Sequence, residues 1–155
     1  MRKSLDKVNH SDTRPQDEML ELIHTVMHQY RSQQYQVLRE GGHDITHMEK
    51  KVLGYVAHHP DATQSDMARD SGRDKAQLAR LIKGLRERGL LDSQPDAADR
   101  RNLRLSLTTD GRSVLRTLDQ QSRRLATQAV AGMSAAEQRQ LLALLQRVKA
   151  NLDGP

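Results

Sequence analysis

Apolar residues return with the period of a helix along most of this chain. Between Gln16 and Glu40 there is no glycine or proline, and one set of residues recurs at alternating steps of four and three. The set is Met19, Ile23, Val26, Tyr30, Gln33 and Val37. This spacing predicts a long helix with a seam that packs against another helix. The pair Gly41 and Gly42 ends the helix.

Three pairs of residues have capping-box spacing and predict further helix starts. They are Thr46 with Glu49, Thr63 with Asp66, and Ser134 with Glu137. After the first pair, the residues expected on the buried face are Val52, Leu53, Val56 and Ala57. After the second pair comes a short helix with Met67 and Ala68 facing inward, and a turn at Ser71 and Gly72 follows it.

A fourth helix and a β-hairpin come after this turn. Asp74 is in position to cap the helix, and Gly89 closes it. Its apolar stripe consists of Leu78, Leu81, Ile82 and Leu85. A strand begins at the pair Leu90 and Leu91. After a polar stretch, leucines at 103, 105 and 107 alternate with polar residues, which predicts a second, half-buried strand.

Two more helices complete the chain. Thr108 or Thr109 caps a long helix whose apolar residues are Val114, Leu115, Leu118, Leu125 and Val130. The last helix carries Leu141, Leu145, Val148 and Leu152 at steps of four, three and four. The order of helix, short helix, turn, helix and hairpin is that of a winged helix-turn-helix.

The predicted fold class is therefore mostly α, a winged helix-turn-helix with a small β-hairpin wing and long N- and C-terminal dimerisation helices. We expect a flexible N-terminal arm over 1–15, a dimerisation helix within 16–45, a DNA-binding lobe over 46–111 and C-terminal dimerisation helices over 112–155. The long helices fit poorly around so small a core, so the prediction is a homodimer with two-fold symmetry.

Composition limits the classes of function. The chain has 155 residues, no Phe, Trp or Cys and only three Tyr, so its core must be aliphatic and it has no disulfide or thiolate site. No apolar run reaches transmembrane length, and the charged N-terminus lacks the apolar segment of a signal peptide, which favours a cytoplasmic protein without a membrane partner. We find no Gly-rich phosphate loop, nucleophile elbow or paired catalytic acids, so no enzyme and no cofactor is predicted.

The net charge is +5, and it is concentrated in one region. Between Arg69 and Arg112 there are eleven basic and seven acidic residues, a surplus of four positive charges. A basic surplus of this kind favours a polyanionic partner. The same region contains the helix-turn-helix and the hairpin, as a DNA-binding function requires.

A family resemblance supports this interpretation. DRRNLRLSLTTDG, from Asp99 to Gly111, fits the pattern D-x-R-x-x-x-L-x-L-T-x-x-G and resembles the wing of the MarR family of bacterial transcriptional regulators. LIKGLRERGLL resembles the exit of that family's recognition helix, and SAAEQRQLLALL its last helix. The likeness runs from about Gln16 to Leu152. It implies an obligate dimer that binds palindromic double-stranded DNA, usually as a repressor, and is often released by a small anionic ligand.

The resemblance places Arg101 at the family's wing arginine, where it would enter the minor groove. We expect Asp99 to hold the Arg101 guanidinium by paired hydrogen bonds, with phosphate contacts from Arg100 and Asn102. The alternative is a surface salt bridge in a tight hairpin, which contributes little.

The fourth helix is expected to lie in the major groove. Its outward residues are Ala76, Gln77, Arg80 and Lys83, and Arg73 and Lys75 lie at its N-terminal end. Phosphate contacts are also predicted at the start of the third helix, from Thr63, Gln64 and Ser65. Gln77 contacts adenine or forms a capping box with Asp74, while Arg80 and Lys83 contact DNA or form a solvated helix face.

Polar residues on the first helix are candidates for an effector site. His24, His28, Arg31 and Tyr35 repeat at steps of four, three and four, and His47 lies nearby in sequence. Arg, His and Tyr together suit a small aromatic carboxylate. The alternative is a polar stripe, or hydrogen bonds between subunits. His24 and His28 also have a spacing that binds zinc, so a metal-responsive regulator is one alternative function, and a winged-helix protein–protein adaptor is another.

Overall fold

The computed structural model describes residues 14–154, and the predicted N-terminal arm lies almost entirely outside them. The described chain contains six helices and one hairpin. They are α1 (Pro15–Glu40), α2 (His47–His58), α3 (Gln64–Ser71), α4 (Lys75–Glu87), β1 (Leu91–Pro95), β2 (Leu103–Leu107), α5 (Thr109–Ala129) and α6 (Ala135–Leu152). This arrangement confirms the mostly helical winged-helix fold. No helix in the described range is long and apolar enough to cross a membrane.

Local capping interactions fix where the helices begin. All three predicted capping boxes form, with Thr46, Thr63 and Ser134 accepting from the backbone of their partner residues and receiving the return bond. Thr108, rather than Thr109, caps α5. Asp74 caps α4 by accepting from the backbone N–H groups of Ala76 and Gln77. It is a simple N-cap, and the Gln77 side chain takes no part in it.

The hairpin, which we call the wing, is antiparallel and in register from Leu91 opposite Leu107 to Pro95 opposite Leu103. It is attached to the helix-turn-helix by an isolated bridge between Thr63 and Arg104. At its base the chain turns into α5 at Gly111, where an added Cβ would overlap the carbonyl oxygen of Leu90. Only glycine can occupy position 111 at this distance from the Leu90 backbone.

One hydrophobic core is formed by the end of α1, by α2, α3 and α4, by the wing and by the first half of α5. Ala57 was expected in this core, but it is exposed, because the buried face of α2 is narrower than predicted. Leu81 is half-buried at the core's edge.

α1 packs on α5 through a face other than the predicted seam. The buried residues of α1 are Gln34, Tyr35 and Leu38. Gln34, only 2 % exposed, donates its side-chain amide N–H to the hydroxyl of Ser122 on α5. Most of the seam is exposed, and α6 has no buried residue. Two helices therefore present apolar faces that residues 14–154 do not cover.

Candidate nucleic-acid interface

The outward face of α4 is polar and accessible. Leu78, Ile82 and Leu85 anchor the helix in the core. The side chains on the opposite side are all exposed: Arg73, Lys75, Ala76, Gln77, Arg80 and Lys83. Lys83 is 3.8 Å from Glu87 in an exposed ion pair, whereas Arg73, Lys75 and Arg80 form none with any carboxylate in residues 14–154. The helix thus offers accessible cations beside its N-terminus and along one face.

The start of α3 is built around Thr63. This residue is 7 % exposed, its hydroxyl accepts from Asp66 N–H, and its own N–H donates to the Asp66 carboxylate. The backbone bond from Thr63 holds the pKa of Asp66 below its ordinary value. The Thr63 side chain is therefore occupied structurally. Ser65 is exposed and Gln64 half-buried, which leaves these two accessible at the helix terminus.

The wing tip differs from the sequence prediction at Asp99. Its carboxylate accepts from the backbone N–H of Arg101 at 3.0 Å, and it does not pair with the Arg101 guanidinium. A short acidic side chain readily forms this local turn with the residue two positions on. Asp99 therefore shapes the backbone of the tip. The side chains of Arg100 and Arg101 are exposed, with no ion pair to a described carboxylate.

Asn102 connects the wing to α3. Its side-chain oxygen accepts from the Ser65 hydroxyl at 3.0 Å, so two predicted phosphate-contact residues are brought together. Arg104 was not among the predicted site residues, yet it lies 3.1 Å from Asp96 and 3.8 Å from Asp61. The only sequence signal was a basic residue at a polar position of the strand. Arg104 offsets acidic charge close to the wing tip.

A separate cleft brings together four of the five predicted effector residues. His28, Arg31, Tyr35 and His47 line a cavity of about 400 Å³, and His24 is outside it. We call this the His–Arg cleft. The Tyr35 hydroxyl and His47 Nδ1 are hydrogen-bonded at 3.1 Å.

The cleft is lined by two arginines, Arg31 and Arg39, and one carboxylate, Asp44, so its surplus charge is positive. Burial, and then the Arg31 guanidinium, lowers the pKa of His47 from its ordinary value. Burial raises the pKa of Tyr35 despite the nearby Arg31. The lowered pKa favours the neutral form of His47 beside the Arg31 cation, and a bound anion would offset the charge of Arg31. Across the described residues, no cluster of three or more His, Cys, Asp or Glu side chains is placed to hold a metal ion.

Known proteins share this architecture. The profile of the MarR family matches residues 43–102. A mutant of MepR from S. aureus is 26% identical, with 86% of this chain and 97% of that chain covered and a TM-score of 0.70. A second MepR mutant, bound to an oligodeoxyribonucleotide, gives 26% identity, the same coverages and a TM-score of 0.61.

Wild-type MarR from E. coli in its apo form has the same fold, with 24% identity, 88% of this chain and 98% of that chain covered and a TM-score of 0.66. The profile lies on the helix-turn-helix, β1 and the tip of the wing, and the structural matches cover 86% of the chain or more. Over residues 43–102 the chain is similar to the MarR family, and it shares the winged-helix fold of the transcription regulators MepR and MarR over most of its length.

Proposed function

We propose that this protein is a homodimeric, sequence-specific DNA-binding repressor that a small aromatic carboxylate releases from DNA. The observation that carries the DNA contact is the set of exposed cations on α4 and at the wing tip. Binding of MepR to an oligodeoxyribonucleotide supports it, because MepR shares the fold over 86% of this chain.

In this proposal α4 lies in the major groove. Arg80 would donate to guanine, and the Gln77 amide would donate to and accept from adenine, with Ala76 and Lys83 on the same face. Arg73 and Lys75 would contact phosphates beside the α4 N-terminus, where the helix dipole favours an anion. Gln64 and Ser65 would do the same at the start of α3.

The wing supplies the second contact. Arg101 would enter the minor groove, where negative potential attracts a guanidinium. Asp99 holds the backbone at the tip, Arg100 adds a phosphate contact, and Asn102 keeps the wing beside α3 through Ser65.

The homodimer is supported by where the exposed apolar residues lie. Eleven large hydrophobic side chains are exposed in the described residues, and all of them belong to α1 or α6. They are Met19, Leu20, Leu22, Val26, Met27, Val37, Leu141, Leu142, Leu144, Leu145 and Leu152. Apolar area of this extent marks an interaction surface. A two-fold partner would cover it and space two copies of α4 about one helical turn, roughly 10 bp, apart on DNA.

The effector would bind in the His–Arg cleft. Its volume of about 400 Å³ is within the usual range for small-molecule sites. The Arg31 guanidinium suits a carboxylate, and the rings of Tyr35 and His47 suit an aromatic group. The cleft lies between α1 and the N-terminal end of α2. A ligand there would therefore change the position of the DNA-binding lobe relative to the long helices.

Gel-shift titration of the DNA upstream of the protein's own gene tests this function. We expect sequence-specific binding, on the order of nanomolar, that weakens steeply with salt and is reversed by benzoate or a related acid. The Arg31→Gln variant should bind the same DNA and lose the response to the acid. Absence of specific binding to that fragment and to fragments selected from random DNA would contradict the proposal.

A further inference from the structure

The wing is attached to the rest of the DNA-binding lobe along β2. The backbone of Arg104 forms an isolated bridge with Thr63, just before α3. The next residue, Leu105, donates its N–H to the Ala62 carbonyl at 3.0 Å. The wing tip, residues 96–102, lies beyond the last pair of the two strands. Its position therefore depends on turn hydrogen bonds and on side-chain contacts.

The Arg104 guanidinium lies between carboxylates from two parts of the chain. Its Nε donates to Asp96 Oδ1 at 3.1 Å, and its Nη1 lies 3.8 Å from Asp61 Oδ1. Asp96 is half-buried at the start of the wing tip, and Asp61 belongs to the loop between α2 and α3. A planar, forked guanidinium can contact both carboxylates at once. Arg104 thus links the wing tip to the loop that leads into α3.

A chain of hydrogen bonds continues from Asp96 to the backbone of Arg101. The second carboxylate oxygen of Asp96 accepts from Asp99 N–H at 3.3 Å. Asp99 Oδ1 in turn accepts from Arg101 N–H at 3.0 Å. The Asp96 N–H donates to the Asn102 carbonyl at 2.9 Å, which closes the turn. The backbone of Arg101 is thus connected to the Arg104 guanidinium by three successive hydrogen bonds. A segment that is already ordered loses less conformational entropy when it binds.

We propose that Arg104 and Asp96 are positioning residues for DNA binding, which hold the wing tip in one conformation so that Arg101 is placed before DNA arrives. Neither side chain touches DNA in this role, because both act through Arg101. The effect on DNA binding rests on the proposed function, whereas the ordering of the wing tip does not.

A direct phosphate contact is the other role open to a basic residue on the wing, and Asp96 separates the two roles. If Arg104 contacted phosphate, the Asp96 carboxylate would compete for its guanidinium, and removing that carboxylate would strengthen DNA binding. In the positioning role, removing the Asp96 carboxylate weakens binding, although the wing then carries one negative charge fewer.

Backbone ¹⁵N relaxation of the full chain tests the ordering of the wing tip without DNA. Order parameters near about 0.85 are typical of rigid backbone, and values below about 0.6 of flexible backbone. We expect the Arg101 amide to be near the rigid value in the wild type. It should fall below about 0.6 in Arg104→Gln and in Asp96→Asn. The Leu105 amide is the internal control and should stay rigid in both variants. A flexible tip in the wild type, or an unchanged tip in the variants, overturns the proposal.

Affinity for the DNA fragment that the wild type binds, measured at several salt concentrations, tests the effect on DNA. Arg104→Gln and Asp96→Asn should each weaken binding about fivefold. The matched control is Asp92→Asn, which removes the same charge from an exposed position of β1 without an ion pair in residues 14–154. This variant should bind at least as tightly as the wild type. Tighter binding of Asp96→Asn, or a salt slope reduced by about one in Arg104→Gln, would make Arg104 a phosphate contact and overturn the proposal.

A double-mutant cycle shows whether Arg104 acts through Arg101. In the Arg101→Ala background, Arg104→Gln should change the affinity by less than about twofold, because the residue that it positions is gone. An equal loss in both backgrounds would overturn the positioning role. Failure of the wild type to bind any specific DNA would instead count against the proposed function, and the order parameters would still decide whether Arg104 and Asp96 hold the wing tip.

Discussion

Arg80 and Arg101 are both exposed guanidinium groups, but they are proposed to meet DNA in different ways. Arg80 is exposed on a helix that is proposed to face base edges, whereas Arg101 lies at the tip of the wing. We therefore expect Arg80→Ala to cost about 1–3 kcal/mol of binding and to relax preference at one base position. Arg101→Ala should weaken binding across most sequences and reduce the slope of log affinity against log salt by about one.

Binding to a randomised operator library at several salt concentrations measures both effects. Arg124→Ala, which removes an exposed arginine of α5 outside the proposed interface, is the matched control and should change neither quantity. Equal loss at all sequences for Arg80→Ala would reassign Arg80 to a phosphate contact.

His47 is the residue through which pH should act on the His–Arg cleft. Burial and nearby cations lower its pKa, so the free protein holds it neutral near pH 7. A bound carboxylate adds negative charge and raises that pKa, so the complex binds more protons than the free protein. By linkage, benzoate affinity in the cleft should rise as pH falls from about 8 to about 6.

Calorimetry of benzoate binding in two buffers of different ionisation enthalpy counts the protons taken up. We expect uptake in the wild type and in His43→Gln, and none in His47→Gln. The groups that act on His47 are Tyr35 and Arg31 from α1, Lys50 and Lys51 from α2, and Arg73 before α4. His28, Arg39 and Asp44 line the same cleft. Uptake that survives in His47→Gln would assign the proton to another group.

The junction between the wing and α5 depends on one glycine. A Cβ at Gly111 would overlap the Leu90 backbone oxygen, a clash that no side-chain rotation can relieve. We expect Gly111→Ala to lower the free energy of unfolding by about 3 kcal/mol. Gly84→Ala is the matched control, because a Cβ there meets nothing within 4 Å and alanine favours a helix by up to about 1 kcal/mol.

Denaturant unfolding compares these variants at one fixed protein concentration, so that any contribution from association enters each measurement at the same concentration. A Gly111→Ala protein as stable as the wild type would contradict this prediction. It would show that the start of α5 can move away from the Leu90 backbone at little cost.

The helices and strands that have local sequence signals were predicted well, and the contacts between these elements were not. The two residues of each capping box are three positions apart, and the leucines of β2 are two positions apart, so the sequence specifies these features directly. The prediction that Ala57 is buried was wrong, because helical spacing does not specify how much of the α2 surface the core covers. Arg104 was missed because its partners, Asp61 and Asp96, are set by where the wing docks.

At the scale of the whole molecule, the uncovered apolar faces of α1 and α6 predict the association state. Leu22 is 64% exposed and Leu142 57% exposed in the single chain. A double variant, Leu22→Glu with Leu142→Glu, should therefore dissociate the proposed dimer, since it places charges in a desolvated interface. Sedimentation velocity should show a monomer, with Ala57→Glu on the exposed side of α2 remaining dimeric. A double variant that stays dimeric would contradict this interface.

The sequence by itself determined the order and limits of the elements, the caps, and the residues exposed on α4. These follow from signals between neighbours one to four residues apart. Tertiary structure decided which face of α1 is buried, since Gln34 and Tyr35 are chosen by contact with α5 and α2. It also decided that Asn102 meets Ser65, 37 residues away, and that His47 joins the residues of α1 in one cleft. Such pairings depend on how the elements pack, which no local spacing encodes.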